Sequence, residues 1–289
     1  MDEKESIDEM KKWYFNPEVK FEIIRYLKNR EFATLVPKAF GSMDERSTRY
    51  YRVHNVQSLD YCLWRRNKTI ERNTPYNCYM SLNRYVNGLP ITPQDNEERK
   101  KVKDNWLQNH HKEIEASDML IDIDAPNHAF INESFEDAKK VKELLDKFNV
   151  PYYLNFSGCG FHFIIPYLFF KTTKHHFKPF DEGNIWDLYA DIDKKLYDTI
   201  SEMIDYGRNQ SRKLCKVPYS LSLYKDNAYC CFPFVSEEEF NNFKLEMAKP
   251  VFWLGRIRGR GNHLFHSKGN NPNKFLESLG VNKKWYQEE

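Results

Sequence analysis

One hexapeptide limits the folds open to this chain more than any other: Met119-Leu120-Ile121-Asp122-Ile123-Asp124, an apolar run ending in two carboxylates spaced i and i+2. Alternate side chains of a strand share a face, so the pattern predicts a buried strand. Ile121 and Ile123 would turn to a core, with Asp122 and Asp124 side by side at the strand's end. Two adjacent carboxylates repel each other unless a cation lies between them. Hard oxygen ligands suit Mg²⁺ or Mn²⁺, which take one or two carboxylates and complete their shell with water and substrate phosphates. A solvated turn can carry the same D-x-D, so the pair needs support from elsewhere in the chain. Asp118 has the parity of Asp122 but lies at the opposite end, as a strand-start residue.

The support comes downstream. Ser134, with Asp137 three positions on, predicts a helix start, and Ala138, Val141, Leu144, Leu145 and Phe148 give that helix an apolar face. Val150 to Phe156 reads as a strand, Ser157-Gly158-Cys159-Gly160 as a tight turn, and Phe161 to Pro166 as a further strand. Gly158 and Gly160 can bring backbone N–H groups close to an anion, Ser157 adds a hydroxyl, and His162 can donate to a phosphate. Residues 184–206 read as one long amphipathic helix ending near Asp205. Arg212, Lys213 and Lys216 follow, just before Val217-Pro218-Tyr219-Ser220. Strands over 219–223 and 228–232 and a helix over 236–247 complete this half.

Upstream, Asn16-Pro17-Glu18 starts a helix that runs to about Asn29. Strands are expected over 46–56 and 76–85, with a short helix over 58–66. Residues 92–117 are highly charged with mixed signs and read as a solvated surface helix or an insertion. The fold expected is α/β in the α+β sense: one catalytic unit over 1–289, with an N-terminal α/β module over about 12–115, a metal-bearing module over 116–250 and a basic C-terminal segment over 251–289.

Composition removes several classes. At 40% hydrophobic and 30% charged, the chain is globular rather than disordered. No apolar run reaches the roughly 18 residues of a membrane helix, so no membrane partner is expected. The N-terminal stretch MDEKESIDEMKK lacks the apolar core of a secretory signal, and the six cysteines show no C-x-x-C spacing, which points to reduced thiols in a cytoplasmic setting. Net charge is only +2, so a nucleic-acid footprint must be local. The densest basic run is Gly255-Arg256-Ile257-Arg258-Gly259-Arg260-Gly261. Aromatics reach 16%, an excess read mainly as core.

Taken together, D-x-D strand, crossover helix, S-G-x-G-x-H hairpin, Asp205 and K-x-P-Y-S resemble the archaeo-eukaryotic primase (primase-polymerase) superfamily, especially the catalytic small subunit of DNA primase. Asp122 and Asp124 match that family's first motif. Ser157, Gly158 and His162 match its second, Asp205 its third carboxylate, and Lys216, Pro218 and Ser220 the segment after it. Arg30-Glu31-Phe32 and Arg49-Tyr50-Tyr51-Arg52 resemble its R-E-F and Y-x-R elements. The glycine turn is one residue shorter than usual, Ser222 stands where a His is common, and no Cys/His cluster matches a structural zinc element. These departures fit a divergent branch, nucleoid-associated if cellular or carried by a plasmid or phage.

The resemblance implies an RRM-like mixed sheet packed on the N-terminal module and template-dependent nucleotidyl transfer with two Mg²⁺ or Mn²⁺ ions held by Asp122, Asp124 and Asp205. Ser157, Gly158, Gly160 and His162 would bind the triphosphate, with Arg212, Lys216 and Ser220. Arg49, Arg52, Arg256, Arg258 and Arg260 would touch nucleic acid. Partners implied are a single-stranded DNA template, an NTP or dNTP, and a primase large subunit, helicase or other replication or repair protein. Three alternatives stay open. A D-x-D glycosyltransferase explains the acid pair alone. A rolling-circle nicking endonuclease needs a second His beside Phe161-His162-Phe163. A non-catalytic nucleic-acid-binding subunit would carry the acids as relics.

Overall fold

A computed structural model describes residues 3–35, 48–50, 53–65, 77–86, 97–98, 101, 105, 110–171, 184–206, 213–224, 227–269 and 271–285. The chain opens with α1 (Glu3–Tyr14) and α2 (Pro17–Tyr26), then β1 (Phe32–Leu35), β2 (Thr48–Tyr50), α3 (Val56–Asp60), β3 (Asn77–Ser81), β4 (Asn83–Tyr85) and β5 (Ile114–Ser117). The second half holds β6 (Met119–Asp124), α4 (Ile131–Lys147), β7 (Tyr153–Phe156), β8 (Gly160–Ile165) and α5 (Ile185–Thr199). It ends with β9 (Leu214–Lys216), β10 (Leu221–Tyr224), β11 (Asn227–Cys230), β12 (Phe232–Pro233), α6 (Glu237–Asn241), α7 (Pro250–Trp253) and α8 (Pro272–Ser278).

The class is α+β. Two four-stranded sheets, β2-β1-β3-β9 and β12-β7-β8-β6, form its body, beside the two-stranded ribbons β10-β11 and β4-β5. Every ladder among the described residues is antiparallel. The mixture of directions lies one strand further apart. β6 and β7 run parallel because α4 carries the chain across between them, and β8 then turns back into the gap. The crossover helix packs its apolar stripe (Ala138, Val141, Leu145) on one face of the sheet, all of it buried. The face below α4 is aromatic: Phe161 lies 5.5 Å from both Phe135 and Phe156, and Phe234 and Phe240 close the cluster 5.3 Å apart. The aromatic excess is therefore core, as its sequence suggests.

Several boundaries move for physical reasons. Asn16 caps α2 as expected, accepting from the Glu18 amide at 2.9 Å. The helix stops short of Asn29, whose φ of +59° is left-handed and incompatible with continuing it. Ser134 is not a cap. Asn127 caps a 3-10 turn over 128–130 that runs directly into α4, and the Ser134 hydroxyl donates to the Ile131 carbonyl inside the helix. The expected helix over 184–206 ends at Thr199, and that over 236–247 ends at Asn241, to be followed by a 3-10 turn over 245–248. Between Asn55, which caps α3, and Arg65 the helix passes into a π turn from Tyr61. Of the strand expected over 46–56, the described part is β2. Of the charged stretch over 92–117, residues 114–117 form β5 and pair with β4, while most of the rest lies outside the described residues.

The expected modules interleave. β9 lies in the second half of the chain yet completes the N-terminal sheet, where Lys216 pairs with Tyr79 of β3. In return, Trp13 Nε1 donates to the Tyr219 carbonyl at 2.8 Å and the Tyr14 hydroxyl accepts from the Leu221 amide at 2.9 Å. The C-terminal segment is also built in: Phe265 bridges Tyr152, and their rings stack 5.0 Å apart. Among the described residues no helix is long and apolar enough to cross a membrane.

Candidate active site

The face of the β12-β7-β8-β6 sheet turned away from α4 is polar, and strand register explains how. Ile121 and Ile123 point into the core, fully buried, so Asp122 and Asp124 must point the other way. The β6–β8 register sets Asp122 opposite His162 and Asp124 opposite Gly160. Asp122 and His162 approach closely, with His162 Nε2 3.2 Å from Asp122 Oδ1. Their side chains are 5% and 15% exposed for His162 and Asp122 respectively, so this contact is mostly withdrawn from water.

The third aspartate reaches the same face by a backbone route that helical periodicity hides. After α5 ends, Ser201 turns the chain, accepting from the Met203 amide at 3.0 Å and donating to Asp137. Residues 203–205 then add to the free edge of β6: Asp124 N donates to Met203 O at 3.0 Å, Asp205 N donates to Asp122 O at 2.9 Å, and Ile204 bridges Ile123. Asp205 is thus an antiparallel partner of Asp122. The third expected carboxylate therefore lies on the segment paired to the strand that carries the first two.

Electrostatics separate the first two acids. Burial is the largest single influence on the Asp122 carboxyl and would raise its pKa, but His162 beside it, together with Lys213 and Lys216, outweighs burial and holds it below the usual range. The neighbouring Asp122 charge, then burial, pushes Asp124 up to about 6, and Asp205 adds to that repulsion. Asp124 is exposed at the lip of a concave surface, so water tempers this effect. A cleft of about 440 Å³ opens there, walled by Asp124, Asp205, Glu202, Tyr197 and Tyr206.

A divalent cation fits this donor set. The oxygens are hard, Asp122 Oδ1 is buried without an aligned hydrogen-bond donor, and the acids repel one another. Among the described residues no group of three or more His, Cys, Asp or Glu side chains closes into a cage that could hold a metal by itself.

The glycine turn is shaped by close packing. A Cβ on Gly160 would stand 1.8 Å from the Ile123 carbonyl oxygen, so only glycine lets β6 lie against β8 here. Gly158 has φ +96°, and a Cβ there would meet Ser222 Cβ at 2.1 Å. Ser157 is buried, and its hydroxyl accepts from the Cys159 amide at 3.5 Å. The glycines thus bring Ser222 of β10 to the turn, and Lys216 donates to the Ser222 hydroxyl. Ser222 and Tyr79 are the residues that sequence reasoning did not assign to the site. Tyr79 sits across from Lys216, and Asp122 and Asp124 are near enough to bear on its hydroxyl. Tyr79 stands in no local pattern and arrives through pairing between distant strands, while Ser222 follows the Lys216–Ser220 segment but meets the turn only in three dimensions.

Other expected residues fall elsewhere. Ser220 is fully buried and its hydroxyl donates to the Cys78 carbonyl at 3.2 Å, which ties the turn before β10 to β3 rather than leaving it for a phosphate. Arg260 is not a free cation for nucleic acid. It pairs with Glu239, donates to the Pro233 carbonyl at 2.9 Å and lies 4.5 Å over the Trp253 ring. Arg256 and Arg258 are exposed. Arg30 of the R-E-F element binds Asp118 and the Ser81 and Leu82 carbonyls, at the far end of β6. Arg52 and Arg212 lie outside the described residues, and of Arg49 only the backbone is described, in β2.

No family model matches the chain, and no curated protein matches it in sequence. Among solved structures, the chain is similar to the polymerase domain of Ligase D from Mycobacterium tuberculosis in complex with DNA. That domain is 12% identical, over 87% of this chain and 89% of the other, with a TM-score of 0.49. A likeness of that grade leaves the chemistry to be decided by the residues of the site.

Proposed function

We propose that this protein is a template-dependent nucleotidyltransferase of the primase-polymerase type. The observation that carries the reading is the meeting of Asp122, Asp124 and Asp205 on one sheet edge with His162 against Asp122. Asp122, Asp124 and Asp205 would hold Mg²⁺ or Mn²⁺. Such ions, when bound, lower the pKa of an attacking 3′-hydroxyl and neutralise the pyrophosphate that leaves. Lys216 supplies positive charge and His162 an N–H donor for the triphosphate, and the Gly158 and Gly160 amides add neutral donors. The Lys216–Ser222 contact holds the ammonium over the glycine turn rather than letting it swing into solvent.

A glycosyltransferase needs the acid pair but has no use for a His clamped on one acid or for a third carboxylate brought in from the next segment. The template is a single DNA strand and the second substrate an NTP or dNTP. Exposed Arg256 and Arg258 are the described cations best placed to meet a nucleic-acid backbone.

The test is incubation with single-stranded template, Mn²⁺ or Mg²⁺ and labelled NTPs or dNTPs, with and without primer. Template-dependent incorporation is expected, falling at least about a thousandfold in Asp122→Ala/Asp124→Ala while the variant keeps its circular dichroism spectrum. Extension retained by the double variant would remove the acids from the chemistry.

A further inference from the structure

The polar face holds one residue that the proposed chemistry does not use. Asn155 lies on β7, is fully buried, and neither Oδ1 nor Nδ2 has a hydrogen-bond partner. A buried carboxamide left wholly unpaired loses its hydration with nothing in return. Its register is the informative part. Asn155 pairs with His162 across β7–β8, and His162 pairs with Asp122 across β8–β6. Asp122 in turn meets Asp205. A single row of polar side chains, Asn155–His162–Asp122–Asp205, therefore crosses the sheet on one face.

His162 has one unmet need within that row. Its Nε2 faces Asp122, while Nδ1 is buried with no partner. A carboxylate only accepts, so Nε2 must carry a proton for the pair to attract. Nδ1 then is a bare lone pair in the neutral ring or an N–H in the cationic one. A carboxamide serves both cases: its NH₂ donates to the lone pair, and its oxygen accepts from the N–H. Directly opposed residues of an antiparallel ladder have Cβ atoms about 4.5–5.5 Å apart, within reach of one hydrogen bond between these side chains after a rotation of the amide.

We propose that Asn155 is a positioning residue for His162: its carboxamide engages ring Nδ1 and holds the ring so that Nε2 is aimed at Asp122 and the substrate phosphates. A leucine in its place would match the volume yet leave Nδ1 with no partner and the ring free to turn Nε2 away from the acids. The kinetic consequence rests on the nucleotidyl-transfer reading, while the contact itself does not.

Two measurements on the full chain separate the claims. Long-range ¹H–¹⁵N spectra of ¹⁵N-histidine-labelled protein, with the His162 ring assigned from His162→Ala, should show Nε2 protonated in the wild type. In Asn155→Leu the Nδ1 signal should move, as that nitrogen loses its hydrogen-bond partner. In the incorporation assay, Asn155→Leu should raise the nucleotide KM by about tenfold, the factor for one lost hydrogen bond. Its kcat should change far less, and Asn155→Leu/His162→Ala should be no worse than His162→Ala. An unchanged ring spectrum, or losses that add in full in the double variant, overturns the proposal. If Leu is not accommodated, Asn155→Ala removes the same amide and is read the same way. Should the wild type incorporate nothing, the catalytic reading falls alone, because the ring spectrum still decides the Asn155 contact.

Discussion

At the residue scale, the acid pair sets a pH signature with a definite sign. The Asp124 carboxyl titrates near 6, raised first by the Asp122 charge. An acid whose folded pKa is raised contributes stability at low pH that is lost as pH climbs from its unfolded value, about 4, through about 6. Asp122, whose pKa is lowered, contributes stability above its unfolded value that is lost as pH falls further. Asp124→Asn should therefore raise the melting temperature of the metal-free protein by about 2 °C at pH 7.5, with no gain near pH 4. Mn²⁺ should give the wild type a similar rise at pH 7.5 and a smaller one to Asp124→Asn. A melting curve for Asp124→Asn that tracks the wild type across this range removes the repulsion argument. His162 belongs to the same scale. His162→Ala should raise the nucleotide KM more than it lowers kcat, and an unchanged KM in steady-state incorporation assays takes His162 off the phosphates. Asp122 and Asp124 were legible in the sequence because strand parity puts them on one face, while His162 and Asp205 were joined to them there only by the family resemblance. Asn155 was not legible, since its meaning comes from the residue across the ladder.

At the element scale, the hairpin β7-turn-β8 shows where sequence reasoning reads the right residues for an incomplete reason. Gly158 and Gly160 suggest a phosphate cradle, yet the space beside each is taken by protein: Ser222 at one, the β6 backbone at the other. Gly160→Ala would drive a methyl to 1.8 Å from a strand carbonyl and push β6 away from β8. A loss of more than about 3 kcal/mol is expected in urea denaturation, together with loss of the Asp122–His162 register. Gly259→Ala is the control: its φ is +74° but nothing lies within 4 Å, so only backbone strain of about 1 kcal/mol applies. Equal effects from the two substitutions would mean that the strand approach does not depend on glycine. The break after Thr199 was hidden for a related reason. Helical periodicity continues to Tyr206, but bonding to the free edge of β6 outcompetes the helix, and no local pattern records that edge.

At the scale of the whole molecule, the interleaved sheets decide which cations are free. The overall charge of +2 provides no general attraction to a polyanion, so binding must rely on a few placed groups. The run at 255–261 divides into two kinds. Arg260 is committed to Glu239 and the Pro233 carbonyl, and the Tyr26 hydroxyl donates to the Gly261 carbonyl at 3.3 Å, so the far end of the loop is fastened to both halves of the protein. Arg256 and Arg258 stay exposed on the fastened loop, between glycines with φ of +76° and +74°. A loop held at its base presents its cations with less ordering cost than a loose one. Arg256→Ala/Arg258→Ala should weaken single-stranded DNA binding regardless of sequence and reduce the slope of log K against log salt by roughly two, one unit for each lost phosphate contact. Arg260→Ala should chiefly lower the melting temperature, because it removes the Glu239 counter-ion, leaves the Pro233 carbonyl without its donor and uncovers Trp253. If fluorescence anisotropy across a salt titration gives the double variant the wild-type slope, the loop is solvated surface and the template path lies along another face of the molecule.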